Sequence, residues 1–162
     1  MDPLLLRAGR VALMLSAGTA AAILGGNLFD MLVNEPNLVR GFPESLPLIR
    51  QYWRYKNPGD FFKVLTPIYL LSTLTALLIF WPASYHRRSW LLGALGCYLL
   101  TQAITVVYFF PRNALIRTGP TEEVKKLIAN FSTTRFALEM LRNLLTAAAS
   151  ALPMWALAGA GS

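Results

Sequence analysis

Four apolar stretches, at about residues 9–33, 64–81, 89–110 and 136–157, take up most of a 162-residue chain. Each is close to the roughly 20 residues that a helix needs to cross the hydrocarbon core of a bilayer. A soluble domain can reach a mean hydropathy of +0.46, but it does not gather its apolar residues into four blocks with nearly all its charges between them. The chain is therefore expected to be all-α and membrane-embedded. The predicted architecture is an antiparallel up-and-down four-helix transmembrane bundle, a single domain over 1–162, with two long loops on one membrane side.

Arg7 and Arg10, followed by an apolar run through Ala20, Ala21 and Ala22, imitate a signal peptide. The run continues to Val33, which favours an uncleaved first transmembrane helix. Small residues at Gly18, Ala22, Gly25 and Gly26 predict a close helix neighbour, and Asn34-Glu35-Pro36 predicts the helix end. The connection that follows holds Pro36, Pro43, Pro47 and Pro58. Within it, residues 45–56 mix Leu46, Leu48, Ile49, Tyr52, Trp53 and Tyr55 with Arg50, Arg54 and Lys56, the pattern of a segment lying at the headgroups. A second helix is expected from about Phe61 to Trp81, a short turn after it, and a third helix ending at Pro111. A short helix over 121–130 is predicted with Thr121 as its N-cap. The fourth helix follows, with Gly159, Gly161 and Ser162 fraying beyond it. The Asn130-Phe131-Ser132 sequon is too common a pattern to carry weight.

The net charge of +7 comes from Arg and Lys spread over loops, with no compact basic face or nucleic-acid motif, so anionic lipids are the expected partners and nucleic acid is not. Cys97 is the only cysteine and His86 the only histidine. A disulfide framework, a bound metal and a haem are therefore not expected, nor is any cofactor, since dinucleotide and phosphate-loop fingerprints are missing.

Polar residues inside the apolar stretches fall on single helical faces. The third stretch carries Tyr98, Thr101, Gln102, Thr105, Tyr108 and Arg112; the fourth carries Glu139, Arg142, Asn143, Thr146 and Ser150. The second offers Thr66, Tyr69 and Thr73, and the first, less regularly, Ser16, Thr19, Asn27 and Asp30. Turned toward lipid such faces would be costly, so they are expected to point inward and line a pocket open to the long-loop side, floored near Gln102, Thr105 and Thr146. Glu139 and Arg142, three apart, can pair, and Asp30 can reach Arg142 or Arg112. Intramembrane ionisable residues mark function by default, which makes Asp30, Glu139 and Arg142 the candidate catalytic residues. Asn27, Tyr69, Gln102, Thr105, Tyr108, Arg112, Asn113, Asn143 and Thr146 are the candidate substrate-binding residues. The tyrosines among them also fit a packing role.

Several short elements together resemble the anthrone oxygenase-like family of small four-helix membrane proteins. They are Gly26-Asn27-Leu28-Phe29 at the end of helix one, the Pro- and Trp-containing first loop, Pro111-Arg112-Asn113-Ala114-Leu115 closing helix three, and Arg142-Asn143 early in helix four. The resemblance implies a membrane oxidoreductase, cofactor-independent, acting on a flat apolar phenolic or quinone-like molecule. It further implies that a carboxylate such as Glu139 or Asp30 takes the phenolic proton while Arg142 stabilises the oxyanion. Two other classes fit the residues. One is a non-catalytic membrane protein that binds a lipid or amphiphile, or serves as a homo-oligomer or a subunit of a membrane complex. The other is a proton-coupled exporter, which the lack of a carboxylate at mid-membrane depth disfavours.

Basic residues are concentrated on the long-loop side, which by the charge-bias rule places both long loops in the cytoplasm of a multi-pass cytoplasmic (inner) membrane protein. Protease added outside intact spheroplasts should therefore remove a tag fused after Ser162. A tag cleaved only after lysis contradicts this orientation.

Overall fold

Two prolines expected to stop helices instead mark a change of helical register. In the computed structural model, which describes residues 2–82, 85–130 and 133–158 with the Thr133 side chain excepted, the first helix, α1 (Pro3–Phe29), does not end before Pro36. It passes through a π turn (Asp30–Asn34) into α2 (Glu35–Arg40). The Glu35 N–H reaches back five residues to the Asp30 carbonyl, and Pro36, which has no N–H to donate, comes directly after this widened turn. The same device recurs later. α5 (Tyr85–Ile104) continues through a π turn (Thr105–Phe109) into α6 (Phe110–Thr118), with the Phe110 N–H on the Thr105 carbonyl and Pro111 immediately following. Both apolar helices thereby extend past the bilayer-length segment toward the long-loop side.

The remaining elements are α3 (Ser45–Tyr52), α4 (Pro58–Phe80), α7 (Thr121–Ala129) and α8 (Thr133–Ala158). α4 starts earlier than the apolar run suggests because Asn57 and Asp60 form a reciprocal capping box ahead of it. α7 begins at Thr121, but the residue before its first turn is Pro120 and no side chain caps it, so Thr121 is not the cap. The C-terminal residues expected to fray and Phe131-Ser132 of the sequon lie outside the described residues.

α1 packs on α4 and on α8, and α5 packs on α8 and, less extensively, on α4. At the short-turn end the core is Leu13, Leu77, Phe80 and Leu91 with small residues between them, and halfway along it is Ala20, Ile23, Tyr69, Tyr98 and Ala149. A third cluster, Leu38, Leu46, Ile116 and Val124, joins α2, α3, α6 and α7 into a cap over the long-loop end. Polar staples cross the helix seams. Ser16 and Thr73 hydroxyls meet at 2.6 Å, Ser150 donates to the Ala17 carbonyl at 3.0 Å, and Tyr69 donates to the Ala94 carbonyl at 3.1 Å.

The glycines divide differently from expectation. Gly18 and Gly25 face open space, whereas a Cβ on Gly9 would lie 2.7 Å from the Phe80 ring and one on Gly26 would lie 2.9 Å from Phe61. The close approach of α1 to α4 is therefore at the two ends of the crossing.

The outer surface is apolar: Leu71, Leu78, Val107 and Leu144 are each largely exposed, Val107 by 76%. Three helical rods are long and apolar enough to cross a membrane, Pro3–Arg40, Pro58–Phe80 and Tyr85–Thr118. α8 is not among them, because its first half carries Arg135, Glu139, Arg142 and Asn143. An exposed surface of this kind is stable against lipid and unstable against water.

Replacing Gly9 by Val should cost about 1–3 kcal/mol by overpacking against Phe80, while Gly18→Val, on an open face, should cost almost nothing. Denaturation of both variants by SDS titration from mild detergent checks this, and equal losses would contradict the packing.

Candidate functional site

The long-loop end of the molecule holds the ionisable and carboxamide side chains, distributed among separate cavities. One of about 260 Å³ lies between α4 and α5 and reaches back to α1 and α8. Ile23 and Asn27 of α1 form its back, Phe62, Lys63, Thr66 and Pro67 of α4 one side, and Thr101, Gln102, Thr105 and Val106 of α5 and its π turn the other; Phe110 and Arg142 complete it. Asn27 and Arg142 are 3% and 5% exposed. The Asn27 Nδ2 and the Arg142 Nε are buried and find no acceptor in the protein. The Arg142 guanidinium stacks 4.1 Å from the centre of the Phe109 ring, which supports the cation without giving its Nε–H an acceptor. Thr105 and Thr101 donate their hydroxyl protons to carbonyls one turn back on their own helix, at 2.8 and 3.1 Å.

Thr146 lies behind this cavity: its hydroxyl donates to the Arg142 carbonyl at 2.8 Å and does not line the space. Asn143 points away from it, with its Nδ2 3.6 Å from the Met31 sulfur and its Oδ1 buried without a donor. Tyr69 is fully buried deeper in the helices, tied to the Ala94 carbonyl and 4.1 Å ring to ring from Tyr98. It is a packing residue. Tyr108 supports Arg112, whose Nη1 donates to the Tyr108 carbonyl at 2.9 Å and whose guanidinium carbon sits 3.5 Å from the ring centre.

The three candidate catalytic side chains do not converge. Glu139 does not take Arg142 as its ion-pair partner. It lies 3.6 Å from Nη2 of Arg135, one turn earlier, and Arg135 Nε in turn binds Glu35 at 2.6 Å. This group borders a cavity of about 330 Å³ with Met31, Pro36, Arg40 and Phe136. Asp30 reaches neither Arg142 nor Arg112; it accepts from Asn34 Nδ2 at 2.9 Å beside a third cavity of about 280 Å³ walled by Phe29, Tyr52, Phe61 and Phe62. Asn113 faces the cap, between Trp53 and Arg117. Of the twelve candidate residues, Asn27, Gln102, Thr105 and Arg142 share one cavity.

Residues that the sequence reading passed over complete the picture. Glu35 stands at the expected end of the first helix, and Arg135 belongs to the basic residues of the long-loop side; the spacing of four between Arg135 and Glu139 is the signal for their pairing. Phe62, Lys63 and Phe110 look like ordinary span-edge residues in sequence. Among the described residues, no group of three or more His, Cys, Asp and Glu side chains is placed to hold a metal ion. Comparison with protein-family models, with curated proteins and with solved structures finds no match.

Arg135→Met leaves two carboxylates without their shared cation and should cost about 3–5 kcal/mol. Adding Glu35→Gln and Glu139→Gln should restore most of that stability in the same SDS titration. A triple variant as unstable as the single one contradicts the network.

Proposed function

We propose that this chain is a four-helix integral membrane protein, α1, α4, α5 and α8 spanning the cytoplasmic membrane with both long connections in the cytoplasm, that takes up a flat apolar phenolic or quinone-like molecule and holds its oxygen against Arg142. The observation that carries this reading is the pair of buried donors, Asn27 Nδ2 and Arg142 Nε, without acceptors on one cavity with aromatic walls. A buried donor left unpaired costs about 1–3 kcal/mol, which a guest oxygen returns. The walls Phe62, Phe110, Val106 and Ile23 suit a flat apolar body. The guest enters from lipid through the seam between α4 and α5, where Val106 and Phe110 are half exposed.

The reaction implied by the resemblance follows from the same arrangement. A bound phenol or enol loses its proton, its oxyanion rests on Arg142, and the electron-rich ring system reduces O2 directly. In an anthrone the methylene carbon gives up two hydrogens and gains one oxygen atom as a carbonyl, and the second oxygen atom leaves as water. No cofactor is needed for this balance. Asp30 and Glu139, one turn from Asn27 and Arg142 along their helices, take the proton through water in this reading. Their placement on neighbouring cavities favours a second reading, a protein that binds the same molecule without transforming it.

Oxygen uptake with anthrone in phosphatidylcholine nanodiscs separates the two. The enzyme reading predicts protein-dependent uptake that falls at least about tenfold in Arg142→Met, by loss of a charge-assisted hydrogen bond, and falls also in Glu139→Gln. Tight anthraquinone binding without uptake selects the binding protein. Undiminished uptake in Arg142→Met removes the site.

A further inference from the structure

We infer that the deep cavity continues into an anion-binding vestibule, and that the guest is an elongate amphiphile with an acidic group at the end opposite Arg142. This deepens the function proposed above and rests on it. A cavity of about 290 Å³ at the edge of the cap is lined by Trp53, Asn113 and Arg117, and it shares Gly59, Lys63 and Phe110 with the deep cavity. The two are therefore neighbouring compartments with a common wall, and Phe110, half exposed, stands between them.

The compartments differ in chemistry. The deep one presents buried donors under aromatic and aliphatic cover. The vestibule presents two cations: Lys63, which is bound to Asp60 at 2.8 Å, and Arg117. Among the described residues Arg117 has no carboxylate partner. Arg50, on the facing α3, is consumed by the Ile116 and Gly119 carbonyls and holds the Arg117 turn of α6 against the cap. An arginine on a fixed turn, with an indole and a carboxamide beside it, is suited to a carboxylate or phosphate. Val106 and Arg117 lie on one rod, Tyr85–Thr118, so the helical rise sets Arg117 at the far end of the vestibule roughly 15 Å from Val106 in the deep site. A bare tricyclic ring does not span that distance; a ring with an extended acid-ended chain does.

Three probes in phosphatidylcholine nanodiscs test the inference by tryptophan quenching at low salt: 1-hydroxyanthraquinone, the same ring bearing a decanoic acid chain, and the methyl ester of that acid. In the wild type the acid should bind about fivefold more tightly than the ester, the effect of one basic residue near a membrane surface. Arg117→Gln should bring the acid-to-ester ratio close to one, Arg117→Lys should keep most of it, and Arg142→Met should weaken both ligands with the ratio unchanged. Ester binding on the same sample reports that each variant is folded. Repeating the titration with phosphatidylglycerol in the disc assigns the anion. Competition that Arg117→Gln abolishes places a lipid headgroup in the vestibule, and its absence leaves the guest's own acid there. A wild-type ratio near one, or a ratio indifferent to Arg117→Gln, overturns the vestibule while leaving the deep site standing. Failure of all three probes to bind the wild type overturns the function reading and this inference with it.

Discussion

A hydrocarbon solvent offers no hydrogen bonds, so every polar group that this chain carries into its helices must be answered from within. That constraint organises the molecule. Ser72, Thr73, Thr101, Thr105 and Thr146 return their hydroxyl protons to carbonyls of their own helices. Ser16, Thr66, Tyr69 and Ser150 answer partners across a seam. Arg135 binds both Glu35 and Glu139. Among the described residues, the buried side-chain groups left unanswered gather at the long-loop end, and two of them, on Asn27 and Arg142, open on the same cavity. The cavity is thus marked by a deficit: two buried donors on it have no acceptor in the protein.

The two π turns connect the fold to that site. Each lies one turn or less from a cavity residue, Asn27 in one rod and Gln102 in the other, and each precedes a proline. A π turn widens the helix by one residue and changes which face the following residues present. In the first rod this brings Glu35 to Arg135 on α8, 100 residues away. In the second it places Phe109 under both Arg135 and Arg142, at 5.6 and 4.1 Å. The cap and the buried cations are joined by these two register changes.

The helical class and the approximate spans were legible because apolar length is a coarse signal that survives errors at the ends. The inward set of Asn27, Gln102, Thr105 and Arg142 was legible from helical spacing alone, since four separate polar faces have one inexpensive place to go. The ends of the first and third spans were not. Pro36 and Pro111 do not end their helices, since each follows a π turn, and nothing in the residues Asp30–Asn34 or Thr105–Phe109 announces one. Spacing suggested that Glu139 would pair with Arg142, yet Arg135, four residues back, holds it from the other direction. Asp30 has a carboxamide four residues on, at Asn34, and needs no arginine. Pairings between close competitors depend on side-chain directions that a sequence does not contain.

The central claim is that Asn27 and Arg142 are donors awaiting a guest. The most direct measurement is a high-resolution density map of the protein isolated with its native lipids. The account predicts density of a bound molecule in the cavity among α1, α4, α5 and α8, with an oxygen at hydrogen-bonding distance, about 3 Å, from Arg142 Nε and Asn27 Nδ2. A cavity closed by side chains, with both donors bonded to protein acceptors, would contradict it.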